Sequence, residues 1–361
     1  MNNLISANKY IKYLFLVIVI FSTYHLLMWT FFTSQIFDPK KGTNIGDLGR
    51  MSYQVNLLQN KEIKFTLEKR FIFAQDFKDQ KIDIITIGDS FSAGGGGGEN
   101  AYYQDYLATI YDKNILNLEP MSDYSSLEIA LGLLNSGYLE KIKPEAIIVE
   151  SVGRLVSHRF AKELNIDSNI LTPVITPKRD TSPSQDVSII STANYKIPYY
   201  FIAYNFKNNA QRNVYKFDLN KNLFSGTKGN STLILDDDIT NLHTFTSENI
   251  LKVNDNFNYV AKKLKQLNIK LYFMVCSDKY DLYYDFIQEN KYPKNNFFEL
   301  IRPLEKEYYF VDTKKILLPL LNNGEKDIYW IDDTHWSRKA SEAVSKDKIF
   351  SDNISKKKES N

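Results

Sequence analysis

The chain has 361 residues, 43% of them hydrophobic and 24% charged, with a formal net charge of +2 from 45 basic and 43 acidic side chains. That is the profile of a globular protein with room for one large domain or two smaller ones. No segment is basic enough to suggest a nucleic-acid partner, since Lys356–Lys358 belongs to a polar C-terminal tail (residues 351–361). The single cysteine, Cys276, excludes an internal disulfide and a cysteine-built metal site, and it reads as a small buried hydrophobe after the apolar run Leu271–Val275.

After a short tail (1–12), residues 13–32 read YLFLVIVIFSTYHLLMWTFF, without Asp, Glu, Lys or Arg. Twenty helical residues at ~1.5 Å each span about 30 Å, the thickness of a bilayer's hydrocarbon core. The run ends in Trp29, Phe31 and Phe32, side chains suited to a membrane interface, so it predicts a retained anchor and not a cleaved signal. Lys9 and Lys12 before it balance Lys40 and Lys41 after it, with Asp38 beside them, so charge does not set its orientation.

Residues 33–80 look like a connecting segment punctuated by Gly42, Gly46 and Gly49. Ile82–Gly88 (IDIITIG) is then a buried-strand pattern, followed by a helix over Asn100–Tyr111 and a strand over Asn114–Leu118. A helix over Ser125–Leu139, a break at Lys143-Pro144 and the strand Ala146–Glu150 continue the alternation, which predicts a parallel α/β sheet. Residues 160–240 show no clean period and read as an insertion of loops and short elements, a candidate substrate-facing cap. The rhythm returns with a helix near Ser247–Leu267, a strand over Ile269–Cys276, a helix near Asn295–Lys306, a strand over Tyr308–Val311 and a last helix over Arg338–Phe350.

Gly88-Asp89-Ser90 falls at the end of the first sheet strand, where ligands bind in an open parallel sheet. Ser90 there is a candidate nucleophile, its own N–H a candidate oxyanion donor; the bland reading is a helix cap. The run Gly94–Gly98 cannot start a helix and lacks the Gly-Lys-Ser/Thr ending of a phosphate loop, so it is either a linker or a backbone lining of the site. Of the four histidines, His25 lies in the apolar span, leaving His158, His243 and His335. His335 follows Asp332-Asp333-Thr334, and an acid two or three residues ahead on a loop can fold back to orient the imidazole as general base. Metal ligation fits less well, as no second histidine stands at ligand spacing, and no cofactor is expected.

Gly88-Asp89-Ser90 early in the domain and Asp332-Asp333-Thr334-His335 late in it resemble the SGNH (GDSL-type) hydrolase superfamily of esterases and acyltransferases. The resemblance implies a flavodoxin-like three-layer α/β domain over 81–350, with Ser90 as nucleophile and a late Asp-x-x-His giving Asp332 and His335. Two oxyanion blocks of that superfamily are missing: Asn117–Tyr124 holds no Gly, and Val149–Arg154 no Asn. The sequence instead resembles the branch of periplasmic alginate and related polysaccharide O-acetyltransferases. That branch has Glu-x-x-x-Arg here (Glu150, Arg154), Lys-Tyr-x-x-Tyr (Lys279, Tyr280) and Asp-x-His-Trp, which would make Asp333 the partner of His335. Asp332 and Asp333 therefore compete, Asp332 being slightly preferred. Glu150, Arg154, Lys279 and Tyr280 are candidates for contacting substrate or oxyanion, although Arg154 could simply pair with Glu150.

The implied protein is a single-pass membrane protein with its catalytic domain periplasmic or extracellular, acetylating a cell-surface polysaccharide from an acyl donor supplied by a membrane-bound O-acyltransferase. A carbohydrate esterase of the same fold, or a non-catalytic glycan-binding component of a polysaccharide biosynthesis complex, are the alternatives.

Overall fold

The computed structural model describes residues 2–37, 45–62, 64–92, 97–121, 123–170, 188–211, 213–226 and 228–354; Gly42, Gly94–Gly96 and Lys356–Lys358 lie outside these. Six strands form one sheet: β1 (Ile72–Phe73), β2 (Ile84–Ile87), β3 (Ile115–Leu118), β4 (Ala146–Val152), β7 (Lys270–Cys276) and β8 (Tyr309–Asp312). Their order is β1-β3-β2-β4-β7-β8 and every pairing is parallel. Setting aside the two-residue edge strand β1, this is the 2-1-3-4-5 order of flavodoxin-like doubly wound sheets. Helices cover both faces, which is why β2 and β4 are buried at every position and carry the β-branched runs Ile84–Ile87 and Ile147–Val149. Ile84 joins Tyr103, Leu107, Tyr111 and Val344 on one face, and Ile85 and Ile87 join Leu127, Leu131, Val253 and Phe257 on the other.

The chain crosses from β2 to β3 on one side and reaches β4 on the other, so the crevice of the sheet opens at the carboxyl ends of β2 and β4. Ser125 accepts a hydrogen bond from the Glu128 N–H while the Glu128 carboxylate accepts from the Ser125 N–H, which starts the helix Ser126–Asn135. Two predicted helices are divided: Ser125–Leu139 into Ser126–Asn135 and Tyr138–Ile142 around the left-handed Gly137, and Arg338–Phe350 into Arg338–Ser345 and Lys348–Ser351 at the capping Asp347. The helix near Asn295–Lys306 is shorter, Phe297–Ile301.

The 160–240 insertion holds more order than its sequence suggests. It contributes the helix Ala193–Ala203 and an antiparallel hairpin, β5 (Val214–Asp218) with β6 (Ser231–Leu235). The Leu233 N–H donates to the Ile331 carbonyl (3.1 Å), so this hairpin braces the loop that carries His335. At the N-terminus, Asn2–Met28, a π-helical turn at Trp29–Thr33 and Ser34–Phe37 form one rod. Its stretch Ala7–Phe37, whose most apolar 18-residue window has a mean hydropathy of 2.0 and is almost wholly exposed, is long and apolar enough to cross a membrane.

Candidate active site

Ser90 stands on the turn that leaves β2, and this turn is pinned from below by Asp89. The Asp89 carboxylate accepts from the Phe91 N–H (3.2 Å), the Val152 N–H (2.8 Å) and Arg159 Nη1 (2.5 Å). Burial alone would raise the Asp89 pKa, but the Arg159 charge and these hydrogen bonds hold it below the ordinary carboxylate value. Gly88 is required by close packing: a Cβ there would lie 2.3 Å from Glu150 Oε2 and 2.4 Å from Ser92 Oγ. The fully buried Glu150 accepts from the Asp89 N–H (3.0 Å) and from Ser92 Oγ (2.8 Å). Burial, with the neighbouring Asp89 charge, raises its carboxyl pKa well above the usual range.

The second half of the site is the loop Tyr329–Ser337. His335 Nε2 lies 2.7 Å from Ser90 Oγ, and Nδ1 lies 2.7 Å from Asp333 Oδ1, which also accepts the His335 N–H at 3.0 Å. The Phe91 ring packs against the imidazole with centroids 4.9 Å apart. Burial disfavours the imidazolium, but the hydrogen bond and charge of Asp333, helped by Asp47, outweigh it and raise the His335 pKa above its ordinary value. The buried Asp333 is held well below the carboxylate range because Lys61 and His335 together offset its desolvation.

Asp332, the slightly preferred partner by sequence, does not reach His335. Its Oδ2 points inward and accepts from the Gly46 N–H (3.0 Å) and the Gln59 N–H (3.4 Å). The physical reason is the tight backbone turn: with the His335 N–H bonded to Oδ1 of the residue two before it, the residue three before faces the opposite way. Arg154 does not pair with Glu150 either. β4 runs on to Val152, so the two residues never share a helical face, and Arg154 Nη1 meets Asp238 (3.2 Å) and Asp278 (3.4 Å). Its positive charge still reaches the imidazole, where it opposes protonation. Lys279 is buried beneath the histidine loop, its Nζ donating to the carbonyls of Trp330 (2.6 Å), Ile331 (2.9 Å) and Asp333 (3.1 Å). Burial lowers its pKa to about 7. Tyr280 is fully buried, and its hydroxyl donates to the Pro293 carbonyl, away from Ser90.

Sequence reasoning passed over the connecting segment, which supplies the floor of the site. Lys61 Nζ binds Asp333 Oδ2 at 2.5 Å and lies 3.7 Å from Asp332 Oδ1. Asp47 accepts from the Thr334 N–H (2.8 Å) and hydroxyl, and Gln59 Oε1 accepts from the Ile331 N–H (2.9 Å). Gly46 lies so close that a Cβ would meet the Asp332 carbonyl at 1.9 Å. Nothing local in the sequence marks these residues, because their partners lie more than two hundred positions away.

Ligand atoms of Asp47, Asp333 and His335 come within 4.8 Å of one another. These atoms are already engaged: Asp333 with His335 and Lys61, Asp47 with Thr334. A cation there would have to displace the bond that orients the imidazole. The arrangement suits a proton relay in which His335 takes the Ser90 proton and Asp333 stabilises the resulting imidazolium. Beside the turn, an open cleft of about 380 Å³ is lined by Tyr124, Ser125, Glu128, His158, Arg159 and Lys162, so Arg159 joins its wall to Asp89. No protein-family model matches this chain, and no curated protein is significantly similar to it.

Proposed function

We propose that this chain is a membrane-anchored, extracytoplasmic O-acetyltransferase of a cell-surface polysaccharide, working through an acyl-serine on Ser90. The observation that carries the reading is the continuous chain Ser90–His335–Asp333, with two contacts of 2.7 Å, at the switch point of the sheet. Ser90 Oγ attacks the acyl carbonyl carbon of the donor while its proton passes to His335 Nε2. The tetrahedral intermediate collapses, and the departing donor oxygen takes that proton. A sugar hydroxyl then gives its proton to His335 and attacks the acyl-serine; collapse releases the sugar ester, and Ser90 Oγ recovers the proton. The Ser90 N–H and the Arg154 guanidinium are the proposed oxyanion donors, in place of the Gly and Asn blocks of the SGNH superfamily that the sequence resembles.

Placement of the domain outside the cytoplasm, supply by a membrane-bound O-acyltransferase and membership of the SGNH fold belong to this proposal. The solvent exposure of Ser90 favours a second reading, an esterase with water as acceptor. The test is to incubate the full chain with p-nitrophenyl acetate and analyse the peptide carrying Ser90 by mass spectrometry. The expected result is one acetyl group on Ser90 in the wild type, and neither adduct nor turnover in Ser90→Ala or His335→Ala. Turnover that survives both substitutions would sink the proposal. Partition of the acyl group between an added oligosaccharide and water separates transferase from esterase.

A further inference from the structure

The exposed apolar surface outside the N-terminal rod is concentrated in one place. Seven of the ten exposed large apolar side chains that follow the rod, among the described residues, lie between Ile189 and Phe206. On the helix Ala193–Ala203 and the turn after it, Tyr195, Tyr199, Ile202 and Phe206 follow the spacing i, i+4, i+7, i+11 and so form one outward stripe, exposed by 48%, 65%, 56% and 84%. The opposite stripe, Ala193, Ile197 and Tyr204, is buried against the rest of the protein. A continuous apolar stripe facing water is unfavourable by about 25 cal/mol for each Å² left uncovered.

Its surroundings indicate what covers it. The helix is locked to the N-terminal rod by polar contacts: Tyr24 donates to the Asn194 carbonyl (2.8 Å), Thr33 to Asn194 Oδ1 (2.6 Å), and the two ring nitrogens of His25 meet Asn194 Nδ2 (2.7 Å) and the Tyr195 hydroxyl (3.1 Å). The Tyr24 and Tyr195 rings stack at 5.1 Å. These contacts engage His25, the one histidine of the apolar run, and they join the helix that bears the stripe to a rod on which Leu26, Leu27, Phe31 and Phe32 are themselves exposed. From Ser188 to Phe217 the sequence carries Lys196, Lys207, Arg212 and Lys216 but no Asp or Glu. An aromatic and aliphatic stripe in a stretch whose charged residues are basic, joined to a membrane-length helix, has the chemistry of a segment lying in the interface of an anionic leaflet.

We propose that Ile189–Phe206 is a second membrane contact, an interfacial helix whose stripe enters the headgroup–acyl boundary of the leaflet where the anchor ends. The proposal rests on the reading of Ala7–Phe37 as a membrane span. It makes the protein two-point attached: the span fixes the chain in the bilayer, and the interfacial helix fixes the tilt of the α/β domain above it. Tyr53, at the end of the helix Asp47–Ser52, stacks on Tyr200 of the interfacial helix (5.7 Å), while Asp47 of the same short helix holds Thr334 beside His335. The route from bilayer to site is thus one helical segment long.

The test uses the full chain in vesicles of phosphatidylethanolamine and phosphatidylglycerol, with an environment-sensitive fluorophore on a single introduced cysteine. The native Cys276 is buried, and the unsubstituted chain serves as the labelling blank. Three positions are compared: Phe21→Cys in the span, Ile202→Cys on the stripe, and Leu251→Cys, an exposed apolar position on the helix Ser247–Lys265. Lipids spin-labelled near the headgroup should quench the Ile202 probe by about twofold or more and leave the Leu251 probe unchanged, while deep spin labels quench Phe21. Tyr199→Cys repeats the stripe measurement with a second variant. Quenching at Phe21 with Ile202 and Tyr199 as unaffected as Leu251 would overturn the interfacial helix and leave the span intact. An unquenched Phe21 would overturn the span and this proposal with it. A shielded but unquenched stripe would assign it to a protein partner or a second copy, and that also overturns the proposal.

Discussion

The pair Asp332 and Asp333 offers the sharpest test of the site, because one substitution made at adjacent positions should have opposite consequences. In Asp333→Asn the side chain keeps its shape but loses its charge and half of its acceptors. If the amide oxygen faces the His335 N–H groups, the amide NH₂ is driven against the Lys61 ammonium, which now sits 2.5 Å from Oδ2. If the NH₂ faces His335, the imidazole must leave Nδ1 bare and carry its proton on Nε2, where it can no longer accept from Ser90. The NH₂–ammonium repulsion disfavours the first orientation and the second removes the general base, so the expected loss in kcat is about ten-thousandfold, equivalent to about 5.5 kcal/mol of transition-state stabilisation. In Asp332→Asn the amide oxygen can still accept from the Gly46 and Gln59 N–H groups, and Lys61 keeps Asp333 as its partner. That change should lower stability by about 1–3 kcal/mol and leave kcat within about tenfold. Both are measured by p-nitrophenyl acetate turnover on the full chain, with circular dichroism and thermal melts run in parallel. Equal loss of turnover in both well-folded variants, or retention of more than a tenth of the activity in Asp333→Asn, would refute the assignment.

Because His335 must be neutral to act as base and its pKa is raised, kcat/KM should fall as pH drops through a value above the ordinary ~6.5. Lys61→Met should move that limb to still higher pH, since the cation sharing Asp333 is gone; an unmoved limb would show that Lys61 does not tune the pair. Gly46→Ala should cost about 1–3 kcal/mol or more in thermal or urea unfolding, as its Cβ would meet the Asp332 carbonyl at 1.9 Å, and a silent substitution would mean the segment can shift away at no cost. Lys279→Met, close in volume, leaves three loop carbonyls without their common donor; it should lower both the melting temperature and kcat, and it fails as a prediction if KM alone changes.

What the sequence revealed and what it concealed follow from the range of the forces involved. The strands around Ile84–Ile87 and Ala146–Val152 are legible because a sheet buried on both faces demands β-branched runs, a purely local signal. Ser90 and His335 are legible because each sits where an element ends, and histidine is scarce. Their meeting at 2.7 Å is long-range, yet the sheet order brings the ends of the domain together. The choice between Asp332 and Asp333 is not local in the same sense. It is decided by how the nine-residue loop Tyr329–Ser337 turns, and that turn is held by Gly46, Asp47, Gln59, Lys61 and Lys279. Of these only Lys279 belongs to a recognisable motif, and that motif does not reveal that its ammonium sits under the histidine loop. The edge strand Ile72–Phe73 is too short to give a period, and Ala193–Ala203 has apolar side chains on both faces, which hides a helix that buries one stripe and presents the other.

The charges around the histidine loop explain why a segment outside the α/β rhythm became part of the site. Asp47, Asp332 and Asp333 are buried or nearly so around one loop, an arrangement that is strongly unfavourable without counter-charge. Lys61 answers from the connecting segment and Lys279 from the end of β7, while Arg154 is occupied by Asp238 and Asp278. With Lys61 on Oδ2 of Asp333, only Oδ1 remains to act on the imidazole, and the imidazole has only Nε2 to offer outward. The same ammonium that makes the buried carboxylate tolerable therefore also gives the relay its direction. A loop bearing Asp and His alone could place the same atoms, but the imidazole would then be left to offset the desolvation of the buried Asp333 carboxylate without the Lys61 charge. The contact between residues 45–61 and residues 329–337 therefore ties the partner of Ser90 to the part of the chain that follows the N-terminal apolar helix.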